Sequence, residues 1–231
     1  MNKTHKALIV VTSHENLGET GRKTGFYYDE MSVPYWALVD AGYEVDIASI
    51  KGGTPPYDVG SYGEVGNRPA AVQRFLDDTA SMAKISATIP INDIDPADYD
   101  AVFLPGGHGT MWDFTSPVLA TVIGKAWDNG AVVGAVCHGP AGLINAVRAD
   151  GLPLVHGLRV NSFTDEEERA VDLADVVPFM TETEIRKRGG LFEGTANFES
   201  YAVRDGRLVT GQNPKSAEKV AALMLEALAE R

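Results

Sequence analysis

The sequence is poor in several features that mark particular classes of protein. It contains a single cysteine in 231 residues, so no disulfide can form within the chain. We therefore expect a reducing compartment, the cytoplasm, where free thiols persist. No apolar run approaches the length of a membrane span, and the run at residues 7–11 is too short for a signal sequence. That run is instead typical of a first buried strand.

Positive charge is also scarce. Twenty Lys and Arg residues against 32 Asp and Glu residues give a net charge of −12 at pH 7. Nucleic acids and anionic membranes are bound through clustered cations, so neither is an expected partner. The length of 231 residues and an apolar content of 44% suit a single domain over residues 1–231 that buries its own core.

Apolar runs alternate with helical patterns along the chain. Strands are predicted at residues 7–11, 43–49, 100–105 and 131–136, and helices at 34–42, 69–85, 117–129 and 214–231. Asp205-Gly206 predicts a hairpin, and residues 52–66 read as an ordered loop. The β-α-β alternation predicts an α/β fold whose mainly parallel sheet is covered on both faces. Ligands of such sheets bind at the carboxyl ends of the strands, where Cys137 and the Gly106-Gly107 turn fall.

The lone cysteine stands where a nucleophile would stand. Cys137 follows an apolar strand and is flanked by Gly134 and Gly139, small residues that a sharp strand-to-helix turn requires. A helix beginning near Gly139-Pro140 would direct its positive end at the sulfur and favour the thiolate. The alternative is a small buried hydrophobic residue, the usual role of a free cysteine.

Partners for a nucleophilic cysteine are present nearby and elsewhere in the chain. His138 is adjacent, and an imidazole within reach of the thiol can take its proton if a carboxylate fixes its tautomer. The run at residues 165–168 supplies four acids, of which we expect three to lie in the solvated first turn of a helix. Glu30 lies between aromatic residues and the Pro34 helix, so it is either a carboxyl group with a raised pKa beside the thiol or an ordinary acid of a helix start.

The glycine-rich turn at residues 105–109 can present bare backbone amides to an anion. Together with the amide of His138 it would form an oxyanion hole opposite the sulfur. The turn does not match a phosphate-binding loop or a dinucleotide pattern. The five histidines lack metal-ligand spacing and there is no C-x-x-C, so the sequence predicts no dedicated metal site.

These motifs together resemble the ThiJ/PfpI superfamily, and more narrowly its heat-shock chaperone and glyoxalase III branch. The resemblance runs from about residue 6 to the terminal helix and rests on motifs in the same order: Thr24-Gly-Phe with Glu30 and Pro34, Pro105-Gly-Gly-His-Gly, Ala135-Val-Cys-His-Gly-Pro140, Asn161-Ser-Phe-Thr-Asp, and Val209-Thr-Gly-Gln-Asn-Pro214. It implies a flavodoxin-like three-layer sandwich, a cysteine nucleophile elbow and a homodimer.

The resemblance also assigns roles to residues. Cys137 is the nucleophile, His138 its histidine, and Glu30 the carboxyl group beside the thiol. The amides of Gly107 and His138 form the oxyanion hole, and Gly106 and His108 contact the substrate. Glu168 is the third acid, with Glu167 as the alternative, because Val160-Asn-Ser-Phe163 departs from the family's Val-Thr-Gly-Phe and makes the register ambiguous.

The activity that the resemblance implies is a glyoxalase, a lyase that converts a small 2-oxoaldehyde, methylglyoxal, and water to lactate without metal, nucleotide or glutathione. Two alternatives remain open. One is a peptidase, amidase or protein deglycase at the same cysteine. The other is a holding chaperone whose cysteine senses redox state.

Overall fold

A computed structural model describes residues 5–231 of the chain. The strands of these residues are β1 (Lys6–Val11), β2 (Glu44–Ser49), β3 (Ile89–Pro90), β4 (Ala101–Leu104), β5 (Val132–Val136), β6 (Arg159–Val160), β7 (Leu191–Phe192), β8 (Ala202–Asp205) and β9 (Leu208–Gly211). The α-helices are α1 (Tyr28–Asp40), α2 (Ala70–Asp77), α3 (Thr79–Ser86), α4 (Thr110–Asp113), α5 (Pro117–Asp128), α6 (Asp165–Ala170), α7 (Thr181–Lys187) and α8 (Ala217–Ala229). Short 3₁₀ turns lie at Val59–Ser61, Ile91–Asp93, Pro96–Asp98, Gly139–Leu143 and Pro214–Ser216.

Seven strands form one sheet in the order β3-β2-β1-β4-β5-β9-β8. Only β8 runs antiparallel to its neighbour, β9, through the predicted hairpin at Asp205-Gly206. The five parallel strands from β2 to β9 follow one another in the flavodoxin-like order 2-1-3-4-5. Strands β6 and β7 pair separately. The predicted α/β fold with a mainly parallel sheet is confirmed.

Helices cover both faces of this sheet because its strands are apolar on both sides. Ile9 of β1 faces one core, which also contains Met31 of α1 and Met224 of α8. The neighbouring Leu8 faces the opposite core, which contains Ile123 of α5. Successive side chains of a strand point to opposite faces, so one strand supplies both cores. The predicted three-layer sandwich is confirmed.

Two predicted helices differ most from the structure. Helix α1 begins at Tyr28 rather than at residue 34, because Tyr28 and Met31 are both buried and bring the chain onto the sheet two turns earlier. Pro34 lies inside this helix. The segment at 69–85 forms two helices, since the Asp78 side chain accepts the amide of Ser81 at 2.7 Å and caps a new helix, α3. Among the described residues, no helix is long and apolar enough to span a membrane.

Candidate active site

Cys137 sits on a sharp elbow at the carboxyl end of β5. Its φ is +59°, a left-handed conformation that costs a residue other than glycine about 1–2 kcal/mol. The Cys137 amide donates to the carbonyl of Gly211 at 2.9 Å, and its own carbonyl accepts the amide of Phe163 at 2.8 Å. A side chain at Gly139 would collide with the Leu104 carbonyl, so only glycine allows the chain to turn here. The predicted elbow is therefore present.

The sulfur is not the helix-activated thiolate that the sequence analysis expected. The segment that follows is a five-residue 3₁₀ turn, Gly139–Leu143, rather than an α-helix with a substantial dipole. Burial and the neighbouring Glu30 carboxyl group raise the pKa of the Cys137 thiol, and a hydrogen bond from the His138 amide opposes this shift only in part. The resting cysteine is therefore protonated and needs a base.

A histidine and a carboxylate lie in line with the thiol. His138 Nδ1 is 3.2 Å from Cys137 Sγ, and His138 Nε2 is 2.6 Å from Glu168 Oε2. The other carboxylate oxygen of Glu168 is 2.8 Å from Nε2 of His108. An ionised Glu168 accepts the Nε2 proton of His138, which leaves the Nδ1 lone pair facing the thiol. This tautomer allows His138 to accept the proton of Cys137.

Burial and charge set the protonation states of this line. Burial, and then the nearby His108, lower the pKa of His138, so its ring is neutral at rest. Burial alone would raise the pKa of Glu168, but hydrogen bonds from His108 and His138 hold this pKa well below its ordinary value. Glu168 is therefore ionised near neutral pH.

Glu30 lies in the first turn of α1 and has no exposed surface. Its Oε2 accepts the amide of Gly106 at 2.7 Å, and its Oε1 is buried without a hydrogen-bond partner within residues 5–231. The carboxyl group lies beside Cys137, since a Cβ at Gly106 would touch both residues. Burial raises the pKa of Glu30 to about 8. The sequence left two interpretations of Glu30 open, and the structure supports the first, a carboxyl group beside the thiol.

Gly106 lies between Glu30 and the elbow at Cys137. A Cβ at Gly106 would lie 2.7 Å from Glu30 Oε2 and 2.9 Å from Cys137 Cβ, so any side chain would push the two groups apart. Gly106 does not border the pocket over Cys137. Its amide is taken by Glu30, and this geometry gives no support to the expected contact of Gly106 with substrate.

Gly107 and His138 present the amides that the sequence analysis assigned to an oxyanion hole. Gly107 has a φ of +98°, and a side chain there would collide with the backbone of residues 25–27. Within residues 5–231, neither of the two amides donates to a backbone carbonyl. Both residues line the pocket over the sulfur. The Gly107 amide has no hydrogen-bond acceptor within residues 5–231, whereas the His138 amide interacts with the Cys137 sulfur, beside which negative charge would develop.

The pocket over Cys137 has a volume of about 300 Å³. Its lining residues are Leu17, Arg22, Thr24, Tyr27, Asp58, Gly107, His108, Cys137, His138, Phe163, Val171, Leu173, Phe198 and Pro214. The ring of Phe163 packs beside His138 at 4.5 Å between centroids and tilts toward Phe198 at 6.2 Å. Phe163 belongs to the Asn161-Ser-Phe-Thr-Asp motif, but no local signal in the sequence marks Phe198, Leu17 or Arg22 as pocket residues.

The acidic run at residues 165–168 is not a solvated helix start. Only Glu166 is exposed. Asp165 accepts the amide of Thr183 at 3.3 Å and so joins α6 to α7. The expectation of three solvated acids is therefore wrong, because this first turn packs against α7 and the pocket wall.

Glu167 is fully buried but points away from His138. One oxygen accepts the amide of Thr164 at 2.9 Å in a capping box. The other accepts the amide of Phe198 at 2.7 Å and the side-chain amide of Asn213 at 2.9 Å. Glu167 thus supports the pocket wall, and Glu168 is the acid that contacts His138.

One group of potential metal ligands lies close together in the described part of the chain: the side chains of His108, His138 and Glu168. Their ligand atoms lie within 4.8 Å of one another. Each is hydrogen-bonded within the group, as described above. No spacing signal marks this group in the sequence, because its members are 30 residues or more apart.

Comparison with known proteins identifies the family. The model of the DJ-1/PfpI family matches residues 23–155, which include the glycine-rich turn and the Cys137 elbow. The chain belongs to the DJ-1/PfpI family. Glyoxalase 3 of Candida albicans is 31% identical over 94% of this chain and 95% of its own length. The glutathione-independent glyoxalase HSP31 of Saccharomyces cerevisiae is 30% identical over 96% of this chain and 98% of its own.

Solved structures of the DJ-1/PfpI fold superpose over nearly the whole chain. Glyoxalase III from Candida albicans matches with a TM-score of 0.89 and 30% identity, covering 97% of this chain and 98% of that one. Rapid Encystment Protein 24 KDa of Francisella tularensis matches with a TM-score of 0.91 and 33% identity, covering 97% and 99%. The predicted resemblance to this family, and to its glyoxalase III branch, is confirmed.

Proposed function

We propose that this chain is a glutathione-independent glyoxalase that converts methylglyoxal and water to lactate. The observation that carries the proposal is a fully buried carboxyl group, Glu30, which lies beside Cys137 and has one oxygen, Oε1, without a hydrogen-bond partner within residues 5–231. Hydrolysis of an amide has little use for such a group, whereas a reaction that moves a proton between two carbons requires one. The names of the relatives, glyoxalase 3 and glutathione-independent glyoxalase, support the same reaction.

The first step is addition of the thiol to the aldehyde. His138 Nδ1, 3.2 Å from Cys137 Sγ, takes the thiol proton as the sulfur attacks the aldehyde carbon. The carbonyl oxygen becomes an oxyanion, which the amides of Gly107 and His138 stabilise until it is protonated. Glu168 holds the imidazolium of His138 in place during this step. The product is a hemithioacetal on Cys137.

The second step is an internal oxidation and reduction. Glu30 removes the proton from the former aldehyde carbon, which gives an enediol, and returns a proton to the neighbouring carbon. The former aldehyde carbon is thereby oxidised to a thioester and the ketone carbon is reduced to an alcohol. Water, deprotonated by His138, then cleaves the lactoyl thioester and releases lactate and the thiol. With a pKa of about 8, Glu30 exchanges protons readily near neutral pH.

The test is lactate formation from methylglyoxal by purified protein that has been treated with a chelator and contains no glutathione. We expect turnover by the wild type and none by Cys137→Ala, with both proteins showing the same thermal unfolding. Lactate formation that depends on glutathione overturns the proposal, and so does substantial turnover by homogeneous Cys137→Ala.

We further propose that the chain works as a single domain, as a homodimer and in the cytoplasm. One sheet with a core on each face runs through residues 5–231, which supports one domain; the first four positions lie outside the described residues. A lone free cysteine supports a reducing compartment. Analytical ultracentrifugation tests the dimer, which a monomeric mass at micromolar concentration would contradict.

A further inference from the structure

The pocket over Cys137 has more room than methylglyoxal needs. Its volume of about 300 Å³ is at the lower end of the range for pockets that enclose drug-sized ligands. A substrate of three carbons that is bonded to the sulfur leaves most of this space unfilled. The lining far from the sulfur can therefore contact a longer substrate.

One charged side chain of this lining has no partner. Arg22 is exposed, and within residues 5–231 its guanidinium makes no ion pair or side-chain hydrogen bond. The adjacent Lys23, by contrast, is paired with Glu15 at 2.9 Å and does not line the pocket. Arg22 is thus the one cation among the lining residues, and it is free to bind an anion.

The position of Arg22 is fixed by a small hairpin. The amide of Leu17 donates to the carbonyl of Arg22 at 3.0 Å, and Asn16 pairs with Lys23 in an antiparallel bridge. Leu17 is 2% exposed and lines the same pocket. The buried Leu17 anchors the hairpin, and the hairpin holds Arg22 at the edge of the pocket.

The acid of the lining, Asp58, makes no ion pair with Arg22 within residues 5–231. Asp58 accepts the amide of Gly60 at 2.8 Å and caps the 3₁₀ turn Val59–Ser61. The whole chain carries a net charge of −12, which repels anions in general. A free arginine beside the pocket opposes this repulsion locally, where a substrate with an anionic group would enter.

We propose that Arg22 selects 2-oxoaldehydes that carry a carboxylate or phosphate at the end remote from the aldehyde. This inference rests on the proposed glyoxalase activity and names its preferred substrate class. The aldehyde carbon bonds to Cys137 and the anionic group binds Arg22. The reaction is the one described above: the aldehyde carbon is oxidised, the ketone carbon is reduced, and water supplies the second carboxyl oxygen, giving a 2-hydroxy acid with a second anionic group.

The test compares two aldehydes with the same five-carbon chain. The anionic one is 4,5-dioxopentanoate and the neutral one is 2-oxopentanal. We expect the ratio of kcat/KM for the acid to kcat/KM for the neutral aldehyde to fall roughly three- to tenfold in Arg22→Gln, chiefly through KM. The ratio should also fall in the wild type at high salt, because salt screens an exposed pair.

Lys23→Gln is the matched control, since it removes the same charge one residue away. An equal fall of the ratio in Lys23→Gln overturns the proposal in favour of a general effect of net charge. An unchanged ratio in Arg22→Gln also overturns it. A wild type that makes lactate from methylglyoxal but does not favour the acid contradicts only this inference, whereas a wild type that makes no lactate contradicts the glyoxalase activity itself. Replacing 4,5-dioxopentanoate by a phosphorylated 2-oxoaldehyde then shows which anion Arg22 prefers.

Discussion

Glu168 holds two histidines at once: its Oε2 lies 2.6 Å from Nε2 of His138, and its Oε1 lies 2.8 Å from Nε2 of His108. One carboxylate therefore fixes the ring that faces the thiol and ties it to a partly exposed ring at the pocket wall. The neighbouring Glu167 is equally buried but bonds to backbone and side-chain amides instead. Adjacent acids thus serve different purposes, and their variants should behave differently.

Glu168→Gln should lower kcat at least roughly tenfold with little change in stability, because the amide no longer holds the imidazolium of His138. The loss should be smaller than that of Glu30→Gln, since Glu30 carries the proton between the two carbons. The measurement is steady-state kinetics with methylglyoxal beside thermal unfolding. A Glu168→Gln variant with wild-type kcat would show that His138 takes its orientation from elsewhere.

Glu167→Gln should act on the fold. Its carboxylate accepts amide donors from three segments of the chain, and the amide of glutamine would turn a donor toward one of them. We expect a loss of about 1–3 kcal/mol in the free energy of unfolding. Urea denaturation measures it. Unchanged stability together with a large loss of kcat would show that Glu167, and not Glu168, is the acid that supports His138 in catalysis.

Glu30→Gln should lower kcat by roughly two to four orders of magnitude, the usual contribution of a positioned acid or base. Glutamine keeps the shape of the side chain and an acceptor for the amide of Gly106, but it cannot carry a proton. Single-turnover measurements with methylglyoxal separate the chemical step from product release. Near wild-type turnover would make Glu30 a structural residue of the start of α1.

The same substitution should stabilise the protein at high pH. Glu30 ionises at its ordinary pKa of 4.5 in the unfolded chain but only at about 8 in the folded one. Between these two pH values ionisation of Glu30 stabilises the unfolded chain but not the folded one. The free energy of unfolding therefore falls by about 1.4 kcal/mol per pH unit from pH 4.5 to pH 8 and is constant above pH 8.

Glutamine has no charge to bury, so Glu30→Gln should raise the free energy of unfolding by on the order of 2–4 kcal/mol at pH 8 and by less than about 1 kcal/mol at pH 4.5. Denaturant unfolding of both proteins at the two pH values checks this. An equal difference at both values would contradict the raised pKa of Glu30.

Gly106→Ala should separate Glu30 from Cys137. The added methyl group would lie 2.7 Å from Glu30 Oε2 and 2.9 Å from Cys137 Cβ, so one of the two groups must move. We expect kcat to fall roughly a hundredfold, which is typical of a misplacement of about 1 Å. Gly194→Ala is the control, because its nearest contact would be 3.3 Å, to the side-chain oxygen of Gln212. Equal losses of kcat in the two variants would show that Gly106 is not specifically needed to keep Glu30 beside Cys137.

Much of the fold was predictable because it rests on local patterns. The apolar runs that became β1, β4 and β5 are buried on both sides, and such strands read as continuous apolar segments in the sequence. The glycines around Cys137 predicted the elbow, since the turn leaves no room for a side chain at Gly139. The start of α1 was not predictable, because it depends on the burial of Tyr28 and Met31 against other elements.

The sequence by itself determined the residue types of the candidate site: one thiol, its adjacent histidine, and carboxyl groups to choose from. Only the tertiary structure decided which carboxyl group does what. Glu167 and Glu168 are neighbours in a helix, so their side chains project about 100° apart, and the packing of α6 alone sets which one meets His138. The environment of Glu30 likewise depends on Gly106, 76 residues away. Burial raises its pKa, and burial is a property of the whole fold that no local pattern contains.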